Sequence, residues 1–254
     1  MSRIISVVSG KGGVGKTTLT SNLGIVLNKL GKKTLVVDGN ITTPDISLHL
    51  GIPLYPITIH DVLRGDAHIS EAIYDHPTGL SIVPGSISID DLNKINMDKL
   101  SESLNYLKKQ ADIILLDSPA GLGKESLKSI EVANDIIIVT NPNMPSIVEA
   151  LKIKEIAERM NKNILGVVIN RVNNKKSELS EKEIKNMLEL PILTKIPEDS
   201  VVPLSIGNKI PVVHFDPFSP SSKAINKFGA DLVGKEFEMK EFGFFQRIMT
   251  WLRR

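Results

Sequence analysis

The chain has 254 residues, of which 41% are hydrophobic and 24% charged, a composition that suits one large α/β domain. The net charge of +2 is too small to indicate a nucleic-acid-binding protein, and the lack of Cys excludes disulfides, thiolate metal sites and Cys nucleophiles. Because the sequence contains no signal-peptide pattern and no run near the ~18 apolar residues of a spanning helix, we expect a cytoplasmic protein that does not cross a membrane.

Short apolar runs alternate along the chain with longer amphipathic segments. The runs are typical of strands that are buried on both faces of a sheet. They comprise residues 4–9, 33–38, 80–84, 112–117, 135–140, 164–170 and 191–197. Amphipathic segments between them, such as 17–32 and 144–162, predict helices. This order predicts an α/β fold in three layers, with a mostly parallel sheet, helices on both faces and ligands at the carboxyl ends of the strands.

The first predicted strand leads into the sequence SGKGGVGKTT at residues 9–18. This is the G-x-x-x-x-G-K-[ST] motif in the strand–loop–helix context that it requires, and its backbone N–H groups can surround phosphates. Lys16 then reaches the β- and γ-phosphates, and the Thr17 hydroxyl binds Mg²⁺. We predict that ATP with Mg²⁺ binds to Gly10, Lys11, Gly12, Gly13, Val14, Gly15, Lys16, Thr17 and Thr18.

The loop contains a second lysine, Lys11, directly after its first glycine. In this respect it resembles the K-G-G-x-G-K-[ST] loop of the deviant Walker-type ATPases, the MinD/ParA family. The resemblance extends over about residues 1–230, and DGNITTPDISLHLG, HDVLRGDAHISEAIY and VTNP are most similar to archaeal MinD-like proteins. It implies a P-loop NTPase fold, ATP hydrolysis, and a homodimer in the ATP state in which Lys11 contacts the nucleotide of the other subunit.

Two further segments resemble the switch regions of this family. VVDGN ends the second predicted strand, where the family has D-x-D, and IILLDSPAGLG contains the Walker-B carboxylate. The resemblance implies that Asp38 and Asp117 hold Mg²⁺ through water, beside Thr17. The catalytic residues that it implies are Lys11, Lys16, Asp38 and Asn40.

Asn40 departs from the family pattern, which has at this position the Asp that orients the attacking water. An amide can hydrogen-bond to water but carries no charge and is not a base. We therefore expect slowed hydrolysis with nucleotide binding retained. The alternative is that Asn40 is an ordinary loop residue and that another group positions the water.

The adenine-binding segments of the family resemble VVINRV and IPED in this chain. By this resemblance Asn170 and Arg171 lie along the base, with Pro197 opposite. The alternative is that the Asn-Arg pair forms only a turn at the end of a strand.

The C-terminal residues 244–254 have the pattern of an amphipathic helix. At about 100° per residue, aromatic and aliphatic side chains fall on one face and basic or polar ones on the other, as in interfacial helices. MinD proteins have such a membrane-targeting helix. We therefore divide the chain into an ATPase domain, 1–235, and a connector with this helix, 236–254. The predicted membrane-binding residues are Phe244, Phe245, Arg247, Ile248, Met249, Trp251, Leu252, Arg253 and Arg254. The alternative is a helix docked on the protein's own core or on a partner.

Together these features predict an ATP-dependent dimerisation switch on the inner face of the cell membrane, where it binds anionic lipid. By resemblance it acts in spatial organisation, such as the placement of the division site, with an activator or cargo protein that the sequence does not identify. A DNA-partitioning ATPase of the ParA type is an alternative, but it requires a basic patch that the low net charge disfavours. An ATPase that positions a flagellum or pilus is another. An iron–sulfur carrier of this fold is excluded, because it requires Cys ligands.

Overall fold

The computed structural model describes residues 2–52 and 55–237, which form one eight-stranded sheet with a hydrophobic core on each face. The strands are β1 (Arg3–Ser9), β2 (Thr34–Asp38), β3 (Tyr74–Asp75), β4 (Ser81–Val83), β5 (Ile113–Ala120), β6 (Asp135–Thr140), β7 (Asn163–Val172) and β8 (Ile192–Pro197). Their order is β3-β4-β2-β5-β1-β6-β7-β8, and all neighbouring pairs are parallel except β3–β4. The predicted α/β fold class is therefore confirmed.

The helices of the described residues connect these strands. They are α1 (Lys16–Lys29), α2 (Ile46–Leu50), α3 (Ile59–Arg64), α4 (Asp98–Leu107), α5 (Lys124–Val132), α6 (Met144–Arg159), α7 (Glu181–Leu188), α8 (Val201–Gly207), α9 (Val212–Phe215) and α10 (Pro220–Leu232). The first predicted helix, 17–32, ends three residues early because Gly31 adopts a left-handed backbone conformation with φ of 81°. The sequence 144–162 likewise ends at Arg159, before Asn161 with φ of 53°.

Successive side chains of the central strand β1 enter opposite cores. Ile4 and Val8 belong to one core, Ile5 and Val7 to the other, and all four are at most 1% exposed. This double burial explains why the strand sequences are continuously apolar rather than alternating. The edge strand β3 was not predicted, because it comprises only two residues and pairs antiparallel with β4.

Because the central strands are parallel, their carboxyl ends lie at one edge of the sheet. Asp38 at the end of β2 is paired in register with Asp117 of β5, and Val7 of β1 is paired with Asp117 on the other side. Three segments that are far apart in the sequence are thereby brought together at the point where β1 leads into the glycine loop. This edge is the position that the fold class predicts for a ligand.

The predicted amphipathic tail, 244–254, lies outside the described residues, so its helix and its membrane contacts remain predictions. The last described helix, α10, packs against α1 and β8 and ends at Leu232, before the predicted domain boundary at 235. Within residues 2–52 and 55–237, no helix is long and apolar enough to span a bilayer.

Candidate active site

The glycine loop between β1 and α1 has a backbone that requires glycine at defined positions. Gly13 and Gly15 have φ of 74° and 96°, in the left-handed region. A Cβ atom on Gly15 would also lie 2.2 Å from Asn170 Nδ2, and one on Gly10 would lie 2.5 Å from the carbonyl oxygen of Glu149 on α6. The loop is therefore packed tightly between β7 and α6 and leads directly into the N-terminus of α1, where free N–H groups favour phosphate.

Lys16 is held at this helix terminus with its charge directed toward the loop. Its side chain is buried, and Nζ donates a hydrogen bond to Ser9 Oγ at 2.9 Å. Burial lowers the pKa of the Lys16 ammonium, while the nearby Asp117 acts in the opposite direction. In the part of the chain that the structure describes, Lys16 forms no ion pair, so its charge is available to a phosphate.

The predicted metal-binding side chains lie directly beneath the loop. Thr17 Oγ1 donates to Asp117 Oδ2 at 2.6 Å, and Thr20 Oγ1 donates to Asp117 Oδ1 at 3.2 Å. Burial raises the pKa of Asp117 to about 7, although the hydrogen bond from Thr17 lowers it. Burial also raises the pKa of Asp38 well above its usual range, and Asp117 and Asp45 add to this effect. Two buried carboxylates with raised pKa values form a site that a divalent cation would stabilise.

The donor set fits Mg²⁺ bound together with phosphates. It consists of one hydroxyl and two carboxylates, which are the hard oxygen ligands that Mg²⁺ prefers. The described residues contain no group of three His, Cys, Asp or Glu side chains that could hold a metal ion by itself. Phosphate oxygens and water would therefore complete the coordination, as is usual for Mg²⁺ at nucleotide sites.

Two adjoining cavities open above these residues. The larger, about 650 Å³, is lined by the glycine loop, by Lys16 and Thr17, and by Asn40. The smaller, about 140 Å³, is lined by Asn170, Arg171 and Pro197 among others. Both cavities include Gly15, Thr18, Arg171 and Ile206 in their walls. This arrangement can accept a triphosphate in the larger cavity and a base in the smaller one.

The comparison with protein families agrees with this geometry. Residues 5–212 match the model of the CobQ/CobB/MinD/ParA nucleotide binding domain. The chain belongs to this family. It is therefore a MinD/ParA-type ATPase by family, and the predicted resemblance is confirmed.

Individual relatives give the same result. An uncharacterised ATP-binding protein of Methanocaldococcus jannaschii is 39% identical, over 94% of this chain and 90% of the relative. The septum site-determining protein MinD of Pyrococcus horikoshii, solved with Mg-ADP, is 36% identical with a TM-score of 0.88, over 91% of this chain and 96% of that one. MinD in a MinC:MinD complex from Aquifex aeolicus is 32% identical with a TM-score of 0.83, over 95% and 100%.

Asn40, where this MinD/ParA-family chain departs from the D-x-D pattern, lies in the wall of the larger cavity. Its side-chain amide nitrogen donates to the Thr43 carbonyl oxygen at 2.5 Å and to Thr43 Oγ1 at 3.0 Å. Its backbone N–H donates to Asp38 Oδ1 at 3.1 Å. Asn40 therefore stabilises its own loop in part through its side-chain NH₂ group, a donor that an aspartate does not have.

The predicted adenine-contacting residues come together at the smaller cavity. Asn170 Nδ2 donates to the Val14 carbonyl oxygen at 2.7 Å, so this side chain also holds the glycine loop. Arg171 has a left-handed φ of 59°, and its Nε lies 3.9 Å from Glu198 Oε2. Asn170 and Arg171 therefore lie in β7, where the register with β8 shifts between Asn170 and Val172, and both residues form part of the wall of the smaller cavity.

Several residues near the site were missed by sequence reasoning. Asp45 lines the larger cavity and raises the pKa values of Asp38 and Asp117, and it pairs with His49 at 3.8 Å. Ser9 and Thr20 hold Lys16 and Asp117. The position of Asp45, seven residues after Asp38 in the same loop, was a usable signal, whereas the roles of the hydroxyl groups depend on three-dimensional contacts.

Asp117 predicts a pH dependence for the stability of the magnesium-free protein. Between ~3.9, the pKa of an unfolded aspartate, and about 7, the native state binds more protons than the unfolded state. The stability from this group is therefore fully present below about pH 4 and is lost as the pH rises through 7. Relative to Asp117→Asn, the parent's free energy of unfolding should fall by up to roughly 4 kcal/mol between pH 4 and 8. Denaturant unfolding at a series of pH values measures this difference. If the free energies of unfolding of the two proteins changed in parallel with pH, the raised pKa of Asp117 would be contradicted.

Proposed function

We propose that this chain is an ATP-dependent dimerisation switch that attaches reversibly to a membrane and acts in spatial organisation, as in division-site placement. The observation that carries this proposal is the different placement of the two lysines of the glycine loop. Lys16 is buried beside Ser9, whereas Lys11 is exposed and, among the described residues, forms no ion pair with a carboxylate. Lys16 serves the nucleotide of its own subunit, and Lys11 is free to reach that of a second copy.

Each part of the site has a distinct task in this switch. The loop amides, Lys16 and Thr17 would bind the phosphates, and Asp38 and Asp117 would hold the cation through water. Mg²⁺, when bound with ATP, neutralises phosphate charge during phosphoryl transfer. Phosphoryl transfer requires positioning and charge neutralisation more than covalent chemistry, so the second lysine at the dimer interface completes the site. The names of the MinD relatives support the assignment to cell division.

Light scattering tests the dimerisation directly. The molar mass of the full chain should double in ATP with Mg²⁺ and return to that of the monomer in ADP. If the protein binds ATP but has the same molar mass in ATP as in ADP, that result would contradict the switch. Binding to circular double-stranded DNA in ATP would instead favour the partitioning ATPase.

The free energy of membrane binding expected for one C-terminal tail suits reversible attachment. A helix of about eleven residues is marginal in water, so it gains its stability only on the membrane. Each large apolar side chain contributes roughly 1.5–3 kcal/mol at most, and each Arg near anionic lipid contributes about 1 kcal/mol. Ordering the peptide offsets much of this free energy. One tail therefore binds weakly, and two tails on a dimer bind together through their high effective concentration.

We expect that serine substitutions at Phe245 and Ile248 will abolish ATP-dependent pelleting with anionic vesicles, as will deletion of residues 242–254. The physical reason is the loss of apolar area from the face that enters the lipid. The matched control replaces Gln246 and Thr250, on the opposite face, by serine, and should pellet like the parent. All variants should bind ATP normally. Pelleting that survives the deletion would show that the tail does not anchor the protein.

A further inference from the structure

His60 on α3 bridges two loops from a fully buried position, with 0% of its surface exposed. Its Nε2 lies 2.8 Å from the Ile41 carbonyl oxygen, and its Nδ1 lies 3.0 Å from the Ser86 backbone nitrogen. The Ser86 N–H can only donate, so Nδ1 is the acceptor. Nε2 therefore carries the ring proton and donates a hydrogen bond to the Ile41 carbonyl oxygen. Both ring nitrogens are thus used, each by a different loop.

The two loops form two parts of the wall of the larger cavity. Ile41 lies in the loop 39–45 after β2, which contains Asn40 and reaches the cavity. Ser86 begins the segment 86–92 after β4, which also lines the cavity. This segment is exposed and apolar at its rim, where Ile87 is 57% and Ile89 82% exposed. His60 is therefore a direct hydrogen-bonded connection between the loop near the phosphate position and this rim.

The segment 86–92 is also attached to α3 at a second point. Ser86 Oγ donates to Asp91 Oδ2 at 2.5 Å, and Arg64 Nη1 donates to Asp91 Oδ1 at 2.9 Å and to its carbonyl oxygen at 3.1 Å. Arg64 is the last residue of α3, one turn beyond His60. The segment is consequently held near both ends by one short helix, α3. A movement of the His60 ring would therefore move the whole segment rather than Ser86 alone.

We propose that His60 is a positioning residue that couples the loop 39–45 to the segment 86–92, so that nucleotide in the cavity orders the apolar rim formed by Ile87 and Ile89. The inference rests on the proposed function, because it requires ATP in the cavity. Ordering of the loop by the phosphates tightens the hydrogen bond to Nε2, and the fixed ring then holds the Ser86 N–H. ATP thereby orders the rim through His60, in addition to any direct contact with this part of the cavity wall.

Hydrogen exchange of residues 86–92 tests the coupling, with and without ATP and Mg²⁺, at protein concentrations where light scattering shows monomers. His60→Asn retains an acceptor near Nδ1 and loses the donor to Ile41, whereas His60→Gln does the reverse. Both connections are required for transmission, so each variant should lose the effect of ATP on the segment. In the parent, ATP should slow exchange by about fivefold or more, as expected for a strengthened hydrogen bond. The affinity for ATP should change little in either variant.

The chain contains a matched control in His76. Its Nε2 lies 2.9 Å from the Leu50 carbonyl oxygen and its Nδ1 accepts the Thr78 N–H at 3.3 Å, yet neither partner belongs to the loop 39–45 or the segment 86–92. His76→Asn and His76→Gln should therefore retain the full effect of ATP on the segment.

Undiminished protection in both His60 variants, or a parent that binds ATP without protecting the segment, would overturn this inference alone. A parent that does not bind ATP would overturn the proposed function as well. Should the variants not fold, nitrogen NMR of the unaltered protein decides the question. ATP should then shift the ring nitrogens of His60 and leave those of His76 unchanged, and an unshifted His60 would contradict the coupling.

Discussion

The Lys16→Ala variant is expected to lose ATP binding, whereas Lys11→Ala is expected to bind ATP and remain monomeric. Lys16 is buried at the start of α1, and its ammonium donates to Ser9 without a carboxylate partner in the described residues. Its removal deletes a charge-assisted hydrogen bond to phosphate in a partly desolvated site. We expect the dissociation constant for ATP to rise by about 100-fold or more.

The Lys11 side chain is exposed, so its removal leaves the phosphate cavity of its own subunit intact. Isothermal titration measures ATP affinity, and light scattering in ATP measures dimerisation. Lys33→Ala is a suitable control, because Lys33 is exposed directly before β2, away from the carboxyl ends of the strands. It should bind ATP and dimerise like the parent. Equal dimerisation of Lys11→Ala and the parent would rule out a role for Lys11 across the interface.

The second large effect is expected at position 40, where Asn40→Asp should hydrolyse ATP faster than the parent. Asn40 lies in the cavity wall two residues after Asp38, and its amide is donated to Thr43. An aspartate cannot make these donations, but one carboxylate oxygen can still accept from the Thr43 N–H and hydroxyl as Asn40 Oδ1 does. The second carboxylate oxygen is then available to hold the attacking water. Water-positioning groups of this kind contribute about 10²–10⁴ in rate, by analogy with general acid–base catalysis. Nucleotide affinity should change little, because it depends on Lys16, Thr17 and the loop.

The Asn40→Ala variant shows whether a faster hydrolysis rate in Asn40→Asp comes from the carboxylate charge or from weaker hydrogen bonding within the loop. It loses every side-chain hydrogen bond to Thr43 and introduces no carboxylate, so it should remain as slow as the parent. Phosphate release under multiple turnover, together with ATP occupancy after long incubation, gives the comparison. If Asn40→Ala is as fast as Asn40→Asp, loop mobility rather than the charge controls hydrolysis. If neither is faster than the parent, the water is held by other groups.

The features that the sequence alone determined are those encoded by short contiguous stretches of residues. The glycine loop was predicted because Gly10, Gly15, Lys16 and Thr17 stand within eight positions, and local backbone geometry requires glycine where φ is positive. The central strands were predicted because burial on both faces leaves a continuous apolar run, as in Ile4 to Val8. The family resemblance rested on the same local motifs.

The tertiary structure alone decided how separate segments act on one another. The register of β2 with β5 places Asp38 beside Asp117, and the resulting burial raises both pKa values, which no local pattern reveals. The fold also joins Ile41 to Ser86 through His60. The physical reason is that hydrogen bonds and desolvation depend on distances between residues far apart in the chain, whereas sequence periodicity records only which face of an element is buried.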